Sequence, residues 1–118
     1  MIRSLSIFPL LVLLCIVPAG AAELSDAVQR DYDEHLGALF EHFHRNPELS
    51  YRENATAARI AEELRAVGFE VTEGVGETGV VAIMENGDGP LVMMRADMDG
   101  LPVEEKSGLP YASTATQV

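Results

Sequence analysis

The 118-residue sequence predicts an α/β fold in which two helices precede three strands. Apolar residues recur at helical spacing in two successive stretches, and short apolar segments separated by turn residues follow them. A pair of aspartates closes the last of these segments, where chemistry gathers in open α/β sheets. No internal repeat, low-complexity run or interdomain linker interrupts the sequence, so residues 22–118 read as one piece of one domain.

The first residues read differently. Arg3 precedes an apolar stretch from Leu5 to Val17, and Ala19-Gly20-Ala21 supplies small residues at the positions a signal peptidase requires. Residues 1–21 are therefore expected to be a signal peptide cleaved before Ala22, which predicts a periplasmic or secreted protein. An uncleaved anchor is the alternative. The run falls short of the ~20 residues that span a bilayer, and Pro9 and Pro18 interrupt or bound it. Cys15 is the only cysteine and lies in this leader, so the mature chain would carry no disulfide. Leu14 stands where lipidation of Cys15 would call for a small residue.

Without Arg3, seven basic residues face 19 acidic ones, a net charge near −12. The basic residues are scattered among acids, which excludes the clustered cationic surface that nucleic acids need. No membrane partner is expected after cleavage.

Val28, Tyr32, Leu36, Leu39, Phe40 and Phe43 recur on one face with charged residues between them, predicting an amphipathic helix over residues 24–44. Asn46-Pro47 ends it, because a residue before proline is pushed out of the α region. Ser50 and Glu53 have capping-box spacing and predict a second helix running to about Val67. Its inner face would be Ala57, Ile60, Ala61, Leu64 and Val67, with Gly68 as the left-handed stop. Phe69–Thr72 alternates as a half-buried strand, and Gly79–Met84 reads as a more buried one. Gly74–Gly79 lacks the lysine and the strand-to-helix context of a phosphate loop and reads as their connection. Asn86-Gly87-Asp88-Gly89 predicts a hairpin turn into a third strand, Leu91–Ala96.

Asp97 and Asp99 arrive where that third strand runs out. In extended chain, residues two apart point the same way, so both carboxylates would face one cavity and start a metal or hydrolytic site. Strand-end capping or a solvated turn is the plainer alternative. Asp97-Met98-Asp99-Gly100 departs at once from a calcium-loop pattern. Arg95 interrupts an apolar run and is expected to pair with an acid, since an unpaired buried guanidinium is costly. Of His35, His42 and His44, the last two cannot share a helical face. For the helix-end His44 a bond to backbone is the plain expectation, and a place near the mouth of a site, ahead of the loop that follows it, is the alternative. Glu104 and Glu105 read as a solvated loop whose side chains turn to opposite faces.

Five segments in one order, His44-Arg45-Asn46-Pro47-Glu48-Leu49-Ser50, Thr78–Ala82, Asn86–Pro90, Arg95–Pro102 and Ser107–Ser113, resemble the N-terminal part of the metal-dependent amidohydrolases of the aminoacylase and carboxypeptidase superfamily. The branch resembled is that of hippurate hydrolases and auxin-conjugate hydrolases, and the match runs from about Tyr32 to Ser113. The resemblance implies an incomplete, zinc-peptidase-like catalytic domain. It also implies hydrolysis of the amide of N-acyl or N-aroyl amino acids by metal-activated water, with two divalent ions (zinc, manganese, cobalt or nickel) as cofactors. A homodimer is implied for the complete enzyme.

Asp99-Gly100-Leu101-Pro102 matches the superfamily's Asp-x-x-Pro, which assigns Asp99 the catalytic role of orienting the metal centre. Asp97 falls where many relatives have a metal-binding histidine, but the branch resembled departs from them here. It is therefore a candidate for supporting the ligands and not itself a metal ligand. Asn46 also stands where relatives usually carry histidine. Relatives continue into a Cys-Gly-His-Asp motif that supplies metal ligands; this sequence stops at Val118 before it, so the expectation is a fragment, inactive alone, with most ligands elsewhere. The competing expectation is a short exported acidic protein that binds a partner without catalysis, or a decayed gene.

Overall fold

A computed structural model describes residues 19–116. The expected leader, residues 1–21, lies outside the described residues as far as Arg3 to Val17 and Cys15 are concerned, and the expected cleavage before Ala22 falls in the first turn of a helix. Among the described residues, no helix is long and apolar enough to cross a membrane.

The first predicted helix forms in three continuous parts: α1 (Ala19–Asp31), a π-helical turn (Tyr32–Leu36) and α2 (Gly37–Arg45). The apolar side chains Leu24, Val28, Tyr32, Leu36 and Phe40 follow a strict spacing of four, which on an α-helix drifts by about 40° per step. The wide turn, closed by the Gly37 amide on the Tyr32 carbonyl, takes up part of that drift. The face is nonetheless solvent-exposed along its length. Asn46 ends α2 as expected and caps it, with its amide on the Phe43 carbonyl at 3.2 Å and its side-chain amide on the His42 carbonyl at 2.7 Å.

The second helix, α3 (Asn54–Ala66), starts later than its capping-box spacing implies. A turn over Leu49–Arg52, closed by the Arg52 amide on the Leu49 carbonyl, puts Tyr51 at φ 61° and carries Ser50 away from the helix. Glu48 takes its place: the carboxylate accepts from the amides of Thr56 at 2.6 Å and Ala55 at 3.2 Å. Burial alone would raise the Glu48 carboxyl, but these amides and the Thr56 hydroxyl outweigh it and hold it below the usual range. Glu53 turns instead to the Thr78 hydroxyl at 2.7 Å, tying the start of α3 to the sheet.

At the other end Gly68 adopts φ 93°. The Phe69 amide bonds the Leu64 carbonyl and the Gly68 amide the Arg65 carbonyl, both at 3.0 Å, a Schellman stop where the sequence placed it. Ala57 and Ala61 are buried, Ile60 and Leu64 half-buried, and Val67 exposed. The two alanines let α3 approach the antiparallel hairpin of β1 (Glu70–Val75) and β2 (Gly79–Ile83). A bulge between Glu73 and Val75, with Gly74 at φ 76°, bends β1 into the connection.

The α/β class therefore stands with two strands. The expected third strand, Leu91–Ala96, carries no ladder, and the expected hairpin at residues 86–89 does not form. Leu91, Val92, Met93 and Met94 are 80–96% exposed. A continuous apolar strand is stable only when paired and covered on both faces, and the described residues supply neither a pairing strand nor a cover. Beyond it, residues 98–113 return to the end of α2, beginning with a single parallel bridge between Leu49 and Gly100.

Candidate functional site

The Asp99 turn is held by backbone. The Gly100 amide bonds the Glu48 carbonyl at 2.7 Å, so one residue caps α3 with its side chain and anchors the turn with its main chain. Gly100 is needed for the approach: a Cβ there would lie 2.7 Å from the Pro47 Cβ, far inside van der Waals contact. Asp99 itself is exposed and lines a cavity of about 220 Å³ with Phe40, Phe43, His44, Pro47 and Thr56. Among the described residues it takes part in no ion pair.

Asp97 is not beside it in that cavity. Its carboxylate is taken by Arg95, at 2.5 and 3.4 Å, in a solvent-exposed pair. The expectation that Arg95 pairs with an acid holds, and its partner is Asp97. The expectation that both aspartates face one cavity does not, because the local fork to Arg95 takes one of them away.

The three histidines also separate. His35 Nε2 meets Glu63 at 2.7 Å, joining the π turn to α3, and Arg59 on the same carboxylate, with His35, holds Glu63 below the usual range. His42 packs edge-on against Phe43. Among the described residues His44 has no side-chain bond to backbone; its Nε2 meets Glu105 Oε1 at 2.8 Å.

Glu105 is the residue sequence reasoning missed. Glu104 does behave as solvated loop, turning to Lys106. Glu105 turns the other way and accepts from His44, from the Ser107 hydroxyl and from the Ser113 amide at 2.7 Å. The Ser107 hydroxyl, then His44, then the Ser113 amide push its carboxyl down to about 2. Tyr111 sets its ring perpendicular to His44 at 5.1 Å and edge-on to Phe40 at 6.0 Å, and the Ser113 hydroxyl reaches the Arg45 carbonyl at 3.4 Å. A second cavity of about 580 Å³ opens here, with His44 and Glu105 beside Pro47, Leu49, Leu101 and Pro102. The available signal was that His44 and Ser107–Ser113 lie in segments that carry the family resemblance.

Because the Glu105 carboxyl is depressed on folding, its bonds stabilise the junction above pH 4.5, and that contribution is lost as the pH falls toward about 2. The hydrogen-exchange protection of the Ser113 amide is expected to decline over that window and to be level with pH above it. Protection that is level from pH 5 to pH 2 would contradict the assignment.

The donors do not converge on an ion. No three His, Cys, Asp or Glu groups among the described residues are placed to hold one: Asp97 is on Arg95, His44 on Glu105 and His35 on Glu63. These residues do not by themselves fit a metal centre.

No family model matches the chain. Among curated proteins, it is 39% identical over 94 residues to a putative amidohydrolase, YhaA, of Bacillus subtilis, covering 73% of this chain and 24% of that protein. It is 43% identical over 76 residues to the hippurate hydrolase of Campylobacter jejuni, covering 64% and 20%. With thermostable carboxypeptidase 2 of Saccharolobus solfataricus the identity is 54% over 72 residues, covering 59% and 18%. The matches thus span about a fifth of the length of these relatives.

Proposed function

We propose, for a chain that belongs to the aminoacylase and carboxypeptidase superfamily of amidohydrolases, that the whole protein hydrolyses the amide bond of small N-acyl or N-aroyl amino acids. Asp99 is the catalytic carboxylate that this segment contributes. The observation that carries the reading is the Asp99 turn: it has the superfamily's Asp-x-x-Pro pattern, it is anchored by Gly100 on Glu48, and Asp99 lines a cavity and, among the described residues, takes part in no ion pair. Hippurate hydrolase among the relatives supports an aroyl amino acid as substrate.

In this reading two divalent ions belong to the complete enzyme, with a ligand set supplied from outside the described residues. What the segment does is hold Asp99 at a fixed place, where its carboxylate can accept a hydrogen bond from an imidazole and fix that ring's orientation. Asp97 has no such role in this geometry; it serves Arg95.

The test uses the product of the complete reading frame that contains these residues. It is expected to release glycine from hippurate and an amino acid from its N-acetyl derivative. A product that cleaves unblocked dipeptides and leaves both of these intact would overturn the substrate class. Export to the periplasm or medium and homodimer formation belong to the same reading. The mature chain is then expected to begin at Ala22 on N-terminal sequencing, and a mature chain still beginning at Met1 would contradict export by cleavage.

A further inference from the structure

We propose that Glu105 is a positioning residue for the Asp99 turn, acting through His44. Among the described residues, His44 is the one titratable residue that lines both cavities, which sets it between Asp99 and the larger space. Glu105 fixes its ring. If Nε2–H donates to the carboxylate, Nδ1 is left as the acceptor, and the Tyr111 ring at 5.1 Å limits rotation from the side.

The same carboxylate also holds the chain that leaves Asp99. Between Gly100, tied to Glu48, and Glu105, tied to His44, run only Leu101, Pro102, Val103 and Glu104. Leu101 is 77% and Val103 73% exposed, so apolar packing does not place this stretch; its two polar anchors do. Removing the second leaves the turn hinged on Gly100 alone. Small displacements of catalytic groups are expensive, which is why an unexceptional loop glutamate bears on the reaction.

This inference rests on Asp99 being the catalytic carboxylate, and the test separates the two. In the whole gene product, Glu105→Gln and His44→Gln are each expected to lower kcat about tenfold with KM within about twofold. The double variant is expected to be no worse than either single one, because both act through one bond. Ser107→Ala, which removes a contact to Glu105 but leaves His44 in place, is expected to keep kcat within about twofold.

Wild-type kcat in Glu105→Gln, alongside a strong loss in Asp99→Asn, would overturn the positioning role and leave the Asp99 reading standing. Additive losses in the double variant would overturn the coupling through His44. Wild-type turnover in Asp99→Asn would remove the reading itself and this inference with it. Should Glu105→Gln fail to fold, His44→Gln decides alone, and an unchanged kcat there overturns the proposal.

Discussion

Replacing Asp99 with asparagine is expected to lower the turnover of hippurate by the whole gene product about 100-fold, at the upper end of the loss that follows when a residue orienting a metal ligand is removed. The side chain is nearly isosteric and exposed, so the fold should not suffer. Asparagine keeps an acceptor oxygen but loses the charge that, in the proposed role, would polarise an imidazole N–H. The loss should therefore appear in kcat, with melting temperature unchanged. Asp97→Asn provides the contrast. It weakens only an exposed pair with Arg95, worth about 0–1 kcal/mol, and should leave turnover within about twofold. Equal losses in both variants would mean that the two aspartates act together, against the geometry in which only Asp99 lines the cavity.

Gly100→Ala should be the second severe change. The added Cβ meets the Pro47 ring carbon at 2.7 Å and the Glu48 carbonyl at 3.5 Å. A proline ring has little room to give, so the turn must move away and stretch the 2.7 Å bond from the Gly100 amide to Glu48. Overpacking of this kind costs about 1–3 kcal/mol, and the displaced Asp99 should lose at least about tenfold in kcat. Gly89→Ala is the control: nothing lies within 4 Å of its Cβ, so stability and turnover should hold. A Gly100→Ala enzyme as active and as stable as the parent would show that the bridge to Glu48 does not set the position of Asp99.

Local features of this fold were legible in the sequence where one stretch of chain decides them. The stop at Gly68 needs only a left-handed residue after an amphipathic run, and it forms as expected. The strands β1 and β2 and their glycine-rich connection form where two short apolar segments place them, and the structure adds that they pair as an antiparallel hairpin. The start of α3 was misread because Ser50 and Glu53 have the right spacing, yet Tyr51 takes a positive φ and turns the chain before the helix begins. Glu48, from the far side of that turn, then supplies the cap. Nothing in a spacing rule announces it.

The π turn was illegible for a related reason, since its signal is a spacing of four that an ordinary helix also tolerates. Leu91–Ala96 fails as a strand because burial is not a local property. The residues have the composition of a covered strand, and that preference is realised only with neighbours. The candidate site divides along the same line. Asp99 could be named from its pattern, and Arg95 was expected to find an acid. The partnership of His44 with Glu105 joins residues 61 positions apart, and only the return of the chain to the end of α2 brings them together.

The most direct test of the central claim is to map where substrate sits. Hippurate titrated into the Asp99→Asn form of the whole gene product, followed by amide chemical shifts, is expected to perturb Gly100 and Leu101 together with Phe40 and His44, while Thr72 and Val81 of the hairpin stay still. Saturable binding that shifts other amides and leaves residues 99–101 unmoved would contradict a catalytic role for the Asp99 turn.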